Sequence, residues 1–260
     1  MEIEQKEKFL DAVAKGVVRK NLAQPKREYL GASYIANECS RQIQYQYQGV
    51  EVDEGRGFSP RTLMIFERGH NNEEMIAKIL RDAGFILKTH KSDGQQFGFA
   101  VGENKEFRGH ADGIITGFTG SDDPIGKYPC LWEHKCLNHK NFTAVRNQGL
   151  KKAKPVYYGQ ISLYQNFLQL SENPCVFTVI NADTMELHVE FVEFDEAECT
   201  RLLDKAADII LDTRSDILRP RAFGSRDSFG CKFCDFQDRC WADGAGSQPI
   251  PRTNHSTKKS

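Results

Sequence analysis

The alternation of apolar and polar positions divides the chain into a helical start, a strand-rich middle and a helical end. MEIEQKEKFLDAVAKGVVRK reads as a charged amphipathic helix, and SYIANECSRQIQYQYQ (33–48) as a second helix followed by a turn at Gly55 and Gly57. RTLMIFERGHNNEEMIAKILRDAG (61–84) repeats apolar residues at helical spacing and ends on a glycine suited to close it. From Phe85 the period changes. FILKTH, QFGFAVG, EFRGHADGIITGF and YPCLWEHK are short, rich in β-branched and aromatic residues and separated by Gly, Asp and Pro, which predicts that they form the sheet. Two helices over about 138–150 and 155–170 follow, then a hairpin in CVFTVINADTMELHVEFVEF turning near 181–184, and a long helix over about 195–214. The segment 244–260 is polar, rich in Gly, Ser and Pro, and predicted to be disordered. The pattern shows no internal repeat and predicts an α/β fold, a single domain over 1–243 with its core at about 60–215.

Composition narrows this picture. With 39% apolar residues in 260, the chain can bury a sizeable core. A formal net charge of −1 excludes a uniformly basic coat, so any nucleic-acid contact must come from a local patch. The first helix lacks the continuous apolar stretch of a secretory signal and no later segment is apolar enough to span a bilayer, so an intracellular, cytoplasmic protein without a membrane partner is expected. In that reducing setting eight cysteines do not read as a disulfide framework: clustered ones suit metal binding, and Cys130, Cys175 and Cys199 suit the core.

The chemistry concentrates in GHADGII (109–115) and LWEHK (131–135). Glu133 and Lys135, two apart on a predicted strand, leave the same face, and Asp112 lies on the preceding strand of a predicted hairpin. Hard oxygen ligands with water in the remaining positions suit Mg²⁺ or Mn²⁺, and a nearby lysine can position a nucleophile or stabilise phosphate charge. An isolated E-x-K is common and by itself reads as an exposed pair, but three features weigh against that here. His70 and Glu73 share one face of the preceding helix, and Gln160 and Tyr164 stand one turn apart on the helix after the lysine. Between Glu133 and Glu172 there is no acidic residue, while Lys135, Lys140, Arg146, Lys151, Lys152 and Lys154 alternate with Phe142, Tyr157 and Tyr158, as phosphate neutralisation and base stacking require.

The order Gly69-x-x-x-Glu73, Gly-His-Ala-Asp112, Glu133-His-Lys135 and Gln160-x-x-x-Tyr164 resembles the RecB-type branch of the PD-(D/E)XK nuclease superfamily, over about residues 33–241. The resemblance implies a restriction-endonuclease-like core, with a mixed central sheet flanked by helices, that cleaves DNA with Mg²⁺ or Mn²⁺. It implies Asp112 and Glu133 as metal ligands, the His134 carbonyl as a further one, Lys135 as the catalytic lysine, and Gln160 and Tyr164 as the helix motif that supports the site and contacts DNA. Many such proteins carry histidine four residues after the glycine. Here that register holds Glu73, which is favoured as the first metal ligand, with His70 as the alternative.

The run CKFCDFQDRC places Cys231, Cys234 and Cys240 in a C-x2-C-x5-C spacing that lacks a second ligand pair. Cys39 is the candidate fourth ligand, with Cys136 a weaker one. One distant N-terminal cysteine and three C-terminal ones resemble the iron-sulfur nucleases of the AddB type and the CRISPR-associated RecB-like exonucleases. That resemblance implies a [4Fe–4S] cluster joining segments at about 33–50 and 229–241, with zinc as an alternative occupant. A stapling role is expected rather than electron transfer, for which no second cofactor or docking surface is evident.

Two functions follow as expectations. The first is a metal-dependent DNA exonuclease acting on single strands or duplex ends in recombination, repair or processing. The second is a non-catalytic DNA-end-binding adaptor of a recombination or CRISPR adaptation complex. The sequence has no G-x-x-x-x-G-K-[ST] motif, so unwinding would fall to a helicase partner, and a recombinase is another expected partner. Small size without a motor also fits a phage-encoded enzyme, by analogy.

Overall fold

The computed structural model describes residues 2–25 and 27–244, so the predicted disorder from residue 245 onward lies outside the described residues. In chain order the elements are α1 (Glu2–Leu22), β1 (Leu30–Gly31), α2 (Ala32–Ile35), α3 (Ser40–Tyr47), α4 (Pro60–Asp82), β2 (Phe85–Lys88), β3 (Gly98–Val101), β4 (Phe107–His110), β5 (Gly113–Phe118) and β6 (Cys130–Leu137). Then come α5 (His139–Gln148), α6 (Leu150–Ala153), α7 (Pro155–Phe167), β7 (Cys175–Asn181), β8 (Leu187–Val192), α8 (Glu196–Arg214), α9 (Phe229–Lys232) and α10 (Gln237–Ala242). The described residues divide into two compact units, one formed by those before residue 26 with 58–99 and 109–199, the other by 27–57 with 100–108 and 200–244. No helix among the described residues is long and apolar enough to cross a membrane.

The first unit holds a five-stranded mixed sheet in the order β2-β5-β6-β7-β8, flanked by helices. β6 and β7 run parallel and the other neighbours antiparallel. A parallel pair needs a long crossover, which α5, α6 and α7 supply. β7 is buried at all seven residues, which requires cover on both faces. α4 starts at the Ser59 cap, whose hydroxyl accepts the Thr62 N–H at 3.1 Å, and Gly84 closes it in a left-handed conformation (φ 102°). Its Ile76, Ala77 and Leu80 pack on Leu87, Ile115, Trp132, Val176 and Ile180. Burying side chains of the Ile, Leu or Val class stabilises by roughly 1.5–3 kcal/mol apiece. Cys130, Cys175 and Cys199 are buried, as their isolation in the sequence suggested.

Two expectations are revised. The four strand-rich segments do not share one sheet: β3 and β4 form a separate three-stranded sheet with β1, in the order β1-β4-β3. Backbones approach so closely there that a Cβ on Gly98 would stand 2.2 Å from the Gly109 carbonyl oxygen. The helix expected over 33–48 is also broken. The Asn37 side chain donates to the Tyr34 carbonyl at 3.0 Å, turning the chain after α2, and α3 starts afresh with Cys39 as its extended N-cap.

In the second unit α3 is bonded to the C-terminal stretch by side chains the sequence left unassigned. Gln44 donates to the Ile217 carbonyl (2.8 Å) and accepts the Arg219 N–H (2.9 Å), and the Tyr45 hydroxyl donates to Asp243 (2.7 Å). Arg56 donates to the Lys232 carbonyl and to Gln237, both at 2.8 Å. Tyr45, Leu218, Cys234, Phe236 and Cys240 form its small core.

Candidate active site

β6 extends past its neighbour β5. Their ladder pairs Ile115 with Cys130, Ile114 with Leu131 and Gly113 with Trp132, and Asp112, one residue ahead of β5, continues it with a side chain: its Oδ2 accepts the His134 N–H at 2.7 Å. Gly113 makes the approach possible, since a Cβ there would lie 2.8 Å from Leu87 Cδ1 and 2.9 Å from the Lys88 oxygen. Asp112 is therefore tied to the backbone of the strand that carries Glu133 and Lys135.

Glu133 and Lys135 leave β6 on the face opposite Trp132 and His134, as a period of two requires. Glu133 is fully buried and paired closely with Lys135, whose Nζ also lies 3.8 Å from Asp112 Oδ2. The other Glu133 oxygen, Oε2, is buried with no hydrogen-bond partner among the described residues. Burial first, and then the Asp112 charge, push Glu133 up to about 8 against the pull of Lys135. The same two causes push the half-buried Glu73 of α4 up to about 7. Burial works to lower the Lys135 pKa, but Glu133 and Asp112 outweigh it and hold the group above the ordinary lysine value, as an ammonium.

Gln160 and Tyr164, both buried on α7, are joined by a 3.0 Å hydrogen bond from the Gln160 amide to the Tyr164 hydroxyl oxygen. Burial, followed by the Glu133 charge, raises the Tyr164 pKa, which places this pair beside the acidic group. Tyr157, seven residues before Tyr164, sets its ring 5.5 Å from Lys135 Nζ. The sequence reading placed Tyr157 among stacking aromatics and missed it as the partner of Lys135; its i, i+3, i+7 spacing with Gln160 and Tyr164 is the signal that could have found it.

His70 and the ring of His134 fall elsewhere, the expected ligand atom of His134 being its main-chain carbonyl. His70 is exposed and lines a groove with Val17, Lys20, Met64 and Glu67, so α4 brings Glu73 rather than His70 to the cluster. The His134 ring points away from the acids, with Nδ1 2.9 Å from Thr178 Oγ1 and the ring stacked on Trp132; burial drives its pKa down to about 3 and keeps it neutral. A Cβ on Gly69 would meet nothing within 4 Å, so packing explains no glycine there. In the basic stretch Phe142 is a core residue and not a stacking platform. Arg146 pairs with Glu186 at 2.6 Å, and Lys151 and Tyr158 both bind Asp195, at 2.8 and 2.9 Å.

The second unit brings Cys39, Cys231, Cys234 and Cys240 to one small pocket, lined also by Tyr45, Arg221 and Trp241. All four are free thiols. The Cys231–Cys234 turn is closed by the Cys234 N–H on the Cys231 carbonyl at 3.0 Å. Cys136 is not among the lining residues; burial raises its thiol pKa, and the charge of nearby Arg68 works against that rise. Among the described residues, no three His, Cys, Asp or Glu side chains stand in a ready-made metal shell, in either unit.

Fold and site together define a mixed α/β protein with a buried carboxylate–lysine cluster. The crystal structure of SSO0001 superposes on it with a TM-score of 0.52 at 16% identity, covering 89% of this chain and 96% of that one, and so shares its fold. An alkaline exonuclease (LHK-Exo) from Laribacter hongkongensis aligns with a TM-score of 0.48 at 16% identity, over 73% of this chain and 90% of that one. LHK-Exo in complex with dAMP aligns at 0.47 and 16%, over 72% and 89%. No protein-family model and no curated protein sequence matches the chain.

Proposed function

We propose that this chain is a Mg²⁺- or Mn²⁺-dependent DNA exonuclease that hydrolyses phosphodiester bonds of single strands or duplex ends. The observation that carries the reading is the buried Glu133, with one oxygen unpartnered among the described residues, paired with Lys135 beside Asp112 and within reach of the Glu73 charge. Like charges crowded out of water are unfavourable unless a cation joins them, and hard oxygen donors suit these two metals. Glu73, Asp112 and Glu133 would hold the ion, which would supply Lewis acidity and neutralise phosphate charge.

The protein's own part in the reaction is positioning. The His134 N–H fixes Asp112, and Tyr157 covers one side of the Lys135 ammonium. Lys135 can donate to a phosphate oxygen or orient the attacking water, which displaces the leaving oxygen in line on phosphorus. The buried Gln160–Tyr164 pair walls the site. Lys140, Lys152 and Lys154 supply further phosphate-neutralising charge.

The four thiols are proposed to hold a [4Fe–4S] cluster, with zinc as the alternative. Four free soft donors facing one pocket fit either group, and their role would be to join α3 to the C-terminal segment.

Degradation of single-stranded DNA labelled at either end, by chain purified without oxygen, tests the enzyme reading. Loss of label only with Mg²⁺ or Mn²⁺ supports it, and the end released first gives the polarity. DNA binding without cutting under all conditions would replace it with the adaptor reading. The pKa values of about 7 and 8 at Glu73 and Glu133 add a prediction. Binding of the cation displaces the protons these groups hold, so Mn²⁺ affinity should climb as pH rises through that range, by up to about tenfold per unit for each proton displaced. Calorimetric titrations at several pH values check this, and a flat profile would remove these two groups from the ligand set.

A further inference from the structure

Arg41 lies fully buried in α3, two residues after Cys39. Its guanidinium donates to the carbonyls of Arg219 (2.6 Å), Cys240 (3.2 Å) and Gly244 (2.8 Å), and to Cys240 Sγ at 3.6 Å, while Nη2 has no partner. Carbonyls satisfy N–H groups but leave the positive charge unneutralised. Burying a cation without a counter-charge is strongly unfavourable. On the same C-terminal stretch Asp243 accepts from the Tyr45 hydroxyl and Asp235 from the Gly57 N–H, and neither forms an ion pair with Arg41. Among the described residues, the one ionisable group to which Arg41 donates is the Cys240 thiol. A second cation, Arg221, lines the same pocket with its guanidinium carbon 4.0 Å from the centre of the Trp241 ring.

Thiols bind metal only as thiolates, so four of them around a zinc ion or an iron-sulfur core carry a net negative charge. We infer that Arg41, with Arg221, is the built-in counter-charge of an anionic centre at Cys39, Cys231, Cys234 and Cys240, and that the Arg41 bond to Cys240 sets how firmly that centre is held. The inference rests on the reading of the four thiols as ligands. It explains why a permanent charge is buried where a polar amide would satisfy carbonyls at lower cost. Arg41 acts through Cys240 and is a positioning residue.

The test compares wild type with Arg41→Gln, Arg41→Lys and Arg221→Gln, all purified without oxygen. Iron, sulfide and zinc per chain are measured, with circular dichroism, the rate of metal release to EDTA and, where iron and sulfide are present, the reduction potential. Arg41→Gln should release metal about 10–100-fold faster, the usual effect of losing a group that orients a ligand. A cluster should also become harder to reduce, because a nearby cation favours the more negative reduced form. Arg41→Lys should recover part of both effects, and Arg221→Gln should shift them the same way by less. A purely structural Arg41 would leave the potential unmoved. A folded Arg41→Gln with the wild-type release rate overturns the inference. Should that variant fail to fold, Arg221→Gln decides: wild-type release there overturns the counter-charge. Wild type lacking iron, sulfide and zinc alike overturns the ligand reading itself, and the inference with it.

Discussion

Glu133→Gln is expected to cut metal-dependent DNA degradation by at least about 10²–10³-fold, on the scale of removing one preorganised electrostatic contact from a water-excluded site. The side chain is fully buried and keeps its size in the variant, so the loss would be chemical and not steric. Stability should move the other way. A folded-state carboxyl raised to about 8 holds its proton where the unfolded chain would have released it. Its contribution is therefore fully present below the ordinary carboxylate range and is lost as pH rises through about 8. Glu73, raised to about 7, loses its contribution in the same direction. In EDTA at pH 8 the variant should melt no lower than wild type, because it no longer has to ionise a buried acid beside Asp112. Lys135 loses its closest partner but keeps Asp112 at 3.8 Å. Activity and melting together decide. Retained cleavage would remove Glu133 from the chemistry, and a drop of many degrees would make it a structural ion pair.

The readable part of this site was the part governed by short-range periodicity. A two-residue repeat put Glu133 and Lys135 on one face of β6, and a helical turn put Gln160 under Tyr164, both as found. Pairing between distant segments was not readable. Strand-like composition in QFGFAVG and EFRGH could not show that β3 and β4 leave the main sheet, because that choice depends on backbone approaches such as Gly98 to Gly109. Hydropathy also misplaced residues whose environment is decided by a partner. Phe142 looked available for bases and is core, while Arg41 and Gln44, which the pattern left unassigned, are buried among main-chain acceptors. The choice between His70 and Glu73, one turn apart on the same face, depended on which turn of α4 lies beside Asp112, and only the packing of Ile76 and Ala77 on the sheet fixes that position.

Cys39→Ser is expected to lose the bound metal and to lower the melting temperature of the second unit by roughly 10–20 °C. Structural metal sites contribute on the order of 10 kcal/mol to folding, about the whole stability of a domain, so forfeiting even about 3 kcal/mol gives a shift of that size. The unit joins stretches far apart in sequence through polar contacts from Gln44, Tyr45 and Arg56, and each such hydrogen bond contributes only about 1 kcal/mol net. Cys39 makes no capping hydrogen bond with its side chain at the start of α3, so serine there disturbs none of these contacts and could even improve the cap. The substitution thus separates two ways of holding the unit together. A large fall in melting temperature with metal lost assigns the closure to the thiol-bound group. Full metal content with unchanged melting takes Cys39 out of the ligand set and leaves closure to the hydrogen bonds.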